Sequence, residues 1–180
     1  MHYIRFLKPP KLQGSSIKTL ITITSDLGES FLPDDVQLSA SLRSADGHGE
    51  IYLRKSLKWT SSSRSLSVVF NIRDSDIEWP ARVHVTQRNA PLIDRFEKHH
   101  NGGDLPPIIS AWSDVLDPKD GINEASKTVE RRFSPLNDRI LSIWEETGES
   151  IARHIWYDST YLGTLHLVLT NTPLGMRVLH

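Results

Sequence analysis

The sequence predicts a mainly β chain, α+β overall: an antiparallel β-sandwich or open barrel over residues 1–115, then a linker and one helix. Three observations carry this reading. Apolar residues recur with period two in several short runs between residues 17 and 86. Polar turns separate those runs. Nothing in that stretch alternates strand with helix in the way that builds a parallel sheet.

Each element follows from its residues. Tyr3–Leu7 reads as a strand ended by Pro9-Pro10, because proline cannot donate to a ladder. Ile17–Thr24 is β-branched, and Leu20 to Thr24 alternate. Val36, Leu38, Ala40 and Leu42 fall on one face of the next run, and Asp46-Gly47-His48-Gly49 supplies turn chemistry after it. Ile51–Trp59 and Leu66–Ile72 flank the turn Ser61-Ser62-Ser63. Trp79-Pro80 breaks the chain before Ala81–Thr86. Beyond residue 88 the texture changes to loop material, including His99–Gly103 and Leu105-Pro106-Pro107. Residues 116–139 read as an exposed charged linker. Residues 140–156 read as a short apolar lead-in, Ile140–Trp144, and a helix capped by Thr147 with Glu149 in its first turn. Ile151 with Ile155, and Ala152 with Trp156, give that helix one apolar face.

Composition narrows the chemistry. The chain has 180 residues, enough to bury roughly 70% of its unfolded surface. Its 21 basic and 22 acidic side chains nearly cancel, so no global field draws in nucleic acid or an anionic membrane. There is no cysteine, which excludes disulfides, thiolate metal sites and cysteine nucleophiles. No apolar run approaches the roughly 20 residues of a membrane-spanning helix, and the opening residues do not read as a signal peptide. The expected location is the cytoplasm or the nucleus.

Individual residues offer few motifs. His99-His100 reads as a solvated pair, since adjacent side chains of an extended chain point apart. Asp34-Asp35 reads as a turn, because the ligand series of a calcium loop is missing. Gly47-His48-Gly49 lacks the third glycine and the following helix of a dinucleotide fingerprint. Arg131-Arg132 reads as a solvated pair. Trp59, Trp79, Trp112, Trp144 and Trp156 read as core or interface anchors. Gly148-Glu149-Ser150-Ile151-Ala152 mimics a nucleophile elbow, but no parallel sheet precedes it, and only Asp158, His166 and His180 remain downstream as partners.

The block Ile143–Trp156 resembles a segment of a fungal family of S-adenosylmethionine-dependent methyltransferases, the nicotinamide N-methyltransferase-like or lysine-methyltransferase-like proteins. The opening Met1–Pro10 and the stretch Leu20–Phe31 are similar to theirs as well. The resemblance implies a β-rich N-terminal region and a helix entering a Rossmann-like catalytic domain. It makes Trp144, Glu145, Glu146, Thr147, Gly148, Arg153, His154 and Trp156 candidates for contact with cofactor or substrate. The complete family member would use S-adenosylmethionine and a protein or small-molecule methyl acceptor. This chain departs from the family after Trp156 and carries no glycine-rich cofactor loop, so it is expected neither to bind S-adenosylmethionine nor to act alone. Residues 157–180 are compatible, by codon degeneracy, with a translated intron followed by out-of-frame sequence. The other reading of that tail is a native strand over Thr164–Thr170. The exposed helix face would favour self-association. Two functions follow: an N-terminal portion of a methyltransferase, or a stand-alone β-sandwich binding module without catalysis.

Overall fold

The computed structural model describes residues 1–45, 50–95, 108–134 and 140–146. The mainly β expectation holds: eleven strands and a single short 3-10 turn, Pro118–Asp120, make up the regular structure of these residues. The strands are β1 (His2–Gln13), β2 (Ser16–Ser25), β3 (Val36–Ser44), β4 (Ile51–Trp59), β5 (Leu66–Asn71), β6 (Ala81–Gln87), β7 (Asp94–Arg95), β8 (Ile108–Ile109), β9 (Ala111–Ser113), β10 (Thr128–Ser134) and β11 (Leu141–Glu146). They form a four-stranded sheet, β5-β2-β1-β8, and a seven-stranded sheet, β11-β10-β9-β6-β3-β4 with β7 beside β10. Most pairings are antiparallel; β1 with β8 and β7 with β10 are parallel.

The two sheets enclose a main core and a smaller cluster of Tyr3, Ile109, Phe133 and Leu141. Ile4, Ile17, Ile21 and Ile23 from the smaller sheet meet Leu38, Ala40, Leu42, Val83 and Val85 from the larger. The alternation in β2 and β3 explains this, since every second side chain faces inward. Trp59 closes one end of the core, with its buried indole N–H donating to the Leu32 carbonyl oxygen at 3.0 Å.

Several expectations from the sequence are corrected here. β1 does not end at Pro9-Pro10 but runs on to Gln13. Its pairing with β2 slips between Lys8 and Lys11, so the two prolines sit in a bulge where no ladder donor is needed. Gly14, at φ 59°, then opens a two-residue hairpin into β2. The β domain does not stop at residue 115. Residues 116–139, read as a linker, contain β10, an interior strand of the larger sheet, and Ile140–Trp144, read as a lead-in, overlaps β11 beside it. Arg131-Arg132 is not a solvated pair; both side chains are buried. The helix expected from Thr147, the missing-domain junction and the tail 157–180 lie outside the described residues.

A buried guanidinium holds the corner between the sheets. The chain passes from β8 in one sheet to β9 in the other through Ser110. Arg131 of β10 donates to the Ser110 carbonyl oxygen at 2.7 Å and to the Ile4 carbonyl oxygen of β1 at 2.7 Å. Its remaining nitrogens bind the Glu145 carboxylate from β11, Nε at 2.8 Å. Beside it the Asp94 carboxylate accepts from the Ser110 N–H at 3.0 Å and from its hydroxyl at 2.8 Å.

Candidate functional site

The outer face of the larger sheet is polar where its inner face is apolar. One cross-strand line runs Arg54–Ser41–His84–Trp112–Glu130–Trp144 through six successive strands. A second runs Ser56–Ser39–Thr86 across β4, β3 and β6. Period-two geometry puts these side chains on the face opposite Leu38, Ala40 and Val85.

The middle of this face is an aromatic and ionic cluster. The His84 imidazole stacks on the Trp112 indole with ring centroids 4.0 Å apart and planes 18° from parallel. The Arg132 guanidinium lies 4.3 Å from the centroid of the same indole. Glu130 accepts from Arg132 Nε at 2.9 Å and from Arg82 Nη1 at 2.5 Å. Arg82 Nε donates to the Ser113 carbonyl oxygen at 2.7 Å, and its guanidinium also lies 5.1 Å from the Trp144 ring. Burial pushes the Glu130 carboxyl up, but the bonds from Arg132 and Ser142 and the charges of Arg82 and Arg132 outweigh it and hold it below its usual value. His84 goes the other way: burial, then the charges of Arg43, Arg132 and Arg82, lower its pKa well below 6.5, so the ring is neutral.

Next to the cluster a cleft of about 310 Å³ opens over β3, β4 and β6. Ser39, Ser41, His84 and Thr86 line its sheet side, with Arg43, Arg54 and the turn after β6 around them. That turn carries Asn89 at φ 64° and is tied to β3 by the Arg88 N–H donating to the Gln37 carbonyl oxygen at 2.8 Å. Asparagine tolerates this left-handed backbone better than most side chains.

Four buried polar atoms of this face have no hydrogen-bond partner among the described residues: Arg82 Nη2, His84 Nε2, Thr86 Oγ1 and Trp112 Nε1. Leaving such a group dry and unpaired costs about 1–3 kcal/mol, and most buried polar atoms in folded proteins are paired. Four on one patch mark it as a place suited to a polar occupant. Among the described residues no group of three or more His, Asp or Glu side chains could hold a metal ion.

The residues that the sequence singled out are not gathered at this site. Trp144 lies on the same face, 38% exposed, at the β11 edge. Glu145 is turned inward and consumed by its pair with Arg131. Glu146 ends β11 and is exposed. Thr147, Gly148, Arg153, His154 and Trp156 lie outside the described residues, as do Gly47-His48-Gly49 and His99-His100. Asp35 directly precedes β3; its carboxylate accepts from the Ser61 N–H at 2.8 Å and pairs with Lys58 at 3.0 Å. The residues that build the cleft were passed over. Their signal was the polar half of each alternation, Ser39-Ser41-Arg43 on β3 and Arg82-His84-Thr86 on β6, which no local motif marks.

The chain is similar to a UPF0665 family protein of Schizosaccharomyces pombe, 27% identical over 164 residues that cover 86% of this chain and 48% of that protein. It therefore spans about half the length of the relative it matches. No family model matches the chain, and no solved structure matches it. These comparisons correct the methyltransferase resemblance. The relative's name states no methyl transfer, and no methyltransferase family model supports the assignment drawn from Ile143–Trp156. Among the described residues no helix is long and apolar enough to cross a membrane.

Proposed function

We propose that this β domain is a non-catalytic binding module whose ligand surface is the outer face of the seven-stranded sheet. The observation that carries the reading is the set of unpartnered buried atoms, Arg82 Nη2, His84 Nε2, Thr86 Oγ1 and Trp112 Nε1, on one side of one sheet. A purely structural face would be apolar and covered, or polar and wet. This one is polar, buried and unpaired among the described residues, on a frame fixed by the Glu130 bonds to Arg82 and Arg132. Such pre-organised polar groups in a concave site orient a ligand at little entropic cost.

The test is a thermal-shift screen of the full chain against small polar molecules, charged and neutral. At least one class of compound should raise the melting temperature, and Thr86→Val should abolish that rise. Compounds that stabilise the variant and the parent equally would place binding elsewhere and overturn the reading; so would a screen in which none stabilises the chain.

A further inference from the structure

We propose that the cleft over β3, β4 and β6 binds the phosphoryl group of a small molecule, gripped by Arg43 and Arg54 and seated on His84 and Thr86. This deepens the ligand-surface reading and rests on it.

Charge is the first argument. Arg43, Arg54 and Arg88 line the cleft, and no carboxylate of the described residues does. Arg54 and Arg88 make no ion pair with any described residue, and the bond recorded for Arg43 is from its Nε to the Ser41 hydroxyl at 3.0 Å. Arg43 also stands directly opposite Arg82 across β3 and β6. Like charges facing each other across a ladder repel. Glu130 compensates Arg82 on its far side, but no described carboxylate does the same for Arg43 or Arg54. An anion in the cleft would.

Donor count is the second. His84 is 2% exposed and Thr86 is 8% exposed; both residues line the cleft, and each carries a buried polar atom with no partner among the described residues. A neutral imidazole with its proton on Nε2 donates one bond without adding charge. The Thr86 hydroxyl donates another, and the Ser41 hydroxyl, already accepting from Arg43, has its own proton to give. Added to two guanidinium forks, these donors exceed what the two oxygens of a carboxylate accept, and they suit the three terminal oxygens of a phosphoryl group. Size is the third. About 310 Å³ lies at the lower end of the range for small-molecule sites, roughly 300–1,000 Å³, so the ligand is a small phosphate ester or phosphate itself.

The experiment is calorimetric titration of the full chain with inorganic phosphate and with O-phosphoserine, at constant ionic strength, with acetate as the carboxylate control. Saturable binding at one site is expected for at least one phosphate compound, with acetate at least tenfold weaker. Tighter O-phosphoserine would assign an ester and tighter phosphate the free ion; both orders support the site. Arg54→Gln, at an exposed position, should leave the melting temperature unchanged and weaken binding at least tenfold; Thr86→Val should weaken it as well. Acetate binding as tightly, or phosphate affinity untouched by Arg54→Gln, would overturn the proposal. A neutral compound whose binding depends on Thr86, with no phosphate binding, would overturn it while leaving the ligand-surface reading intact.

Discussion

The imidazole of His84 lies 4.0 Å from the indole of Trp112, almost parallel to it, with three guanidiniums around the pair. Stacking alone would tolerate a charged ring. The buried setting does not, and the like charges of Arg43, Arg132 and Arg82 add to the penalty. The sheet thus keeps a neutral donor where a surface histidine would carry charge near pH 6.

The first prediction concerns that neutrality. His84 has a folded pKa well below 6.5, so the unfolded chain takes up a proton that the folded chain refuses. Its contribution to stability is present above pH 6.5 and is lost as pH falls from there through the folded value. His84→Phe keeps a ring on Trp112 and cannot titrate. Urea denaturation from pH 7.5 down to 5 should show the variant gaining on the parent as pH falls. A difference that stays constant across that window would mean that His84 takes up its proton in the fold as readily as in the unfolded chain.

The second concerns the ion pair at the corner. Arg131 and Glu145 are both buried, and Arg131 donates to the carbonyl oxygens of Ile4 and Ser110. Arg131→Met takes the guanidinium from the buried Glu145 carboxylate and a donor from two carbonyl oxygens, and should cost about 3–5 kcal/mol. Arg131→Met with Glu145→Leu removes that carboxylate as well, so the double variant should recover part of that loss but not all, because the two carbonyls still lack that donor. Chemical denaturation of the three chains decides it; a double variant no more stable than Arg131→Met would show that charge burial is not what the pair resolves.

How far the sequence reveals this architecture depends on what the charges do. β2, β3 and β6 were legible because their inward residues are aliphatic and period two shows through. β10, Thr128-Val129-Glu130-Arg131-Arg132-Phe133-Ser134, is buried from Val129 to Phe133 and was still read as a linker. Val129, Arg131 and Phe133 share its inner face, and the arginine among them hides the alternation. Glu130 and Arg132 share the outer face two residues apart, a spacing that pairs charges on a strand and not on a helix. That i, i+2 pair was the available signal. The cleft was less legible still, because its parts come from β3, β4 and β6, and no local spacing brings Arg54 beside Ser41 or Ser41 beside His84. Only register does.

A third prediction comes from the smaller sheet. Tyr3 is buried against Ile109 and Phe133, and its hydroxyl has no hydrogen-bond partner among the described residues. Burial pushes its pKa up to about 12. Arg5 and Arg131 lie 5.5 and 5.8 Å from its ring, and a phenyl ring retains both contacts. Tyr3→Phe should therefore be neutral or stabilising, by up to about 1 kcal/mol, since it removes a dry polar atom and no bond. A loss above that in urea denaturation would reveal a partner for the hydroxyl.

The last prediction sets Asp94 against His84. Burial pushes the Asp94 carboxyl from 3.8 up to about 6, although the two bonds from Ser110 and the charge of Arg131 pull it down. The folded chain therefore holds a proton that the unfolded chain releases. Asp94 contributes stability that is fully present below pH 3.8 and is lost as pH rises through about 6, the reverse of His84. A shift of about two units corresponds to about 3 kcal/mol, an upper figure since water can reach a loosened corner. Asp94→Asn keeps an oxygen for the Ser110 N–H and hydroxyl and has no proton to lose. Its stability relative to the parent should rise between pH 4 and pH 7, by up to about 3 kcal/mol, and level off above. Both chains share every other titrating group, so the difference isolates this carboxyl. A difference that is flat from pH 4 to pH 7 would show that Asp94 ionises in the fold as it does in water, held by Ser110 and Arg131 more firmly than burial opposes them.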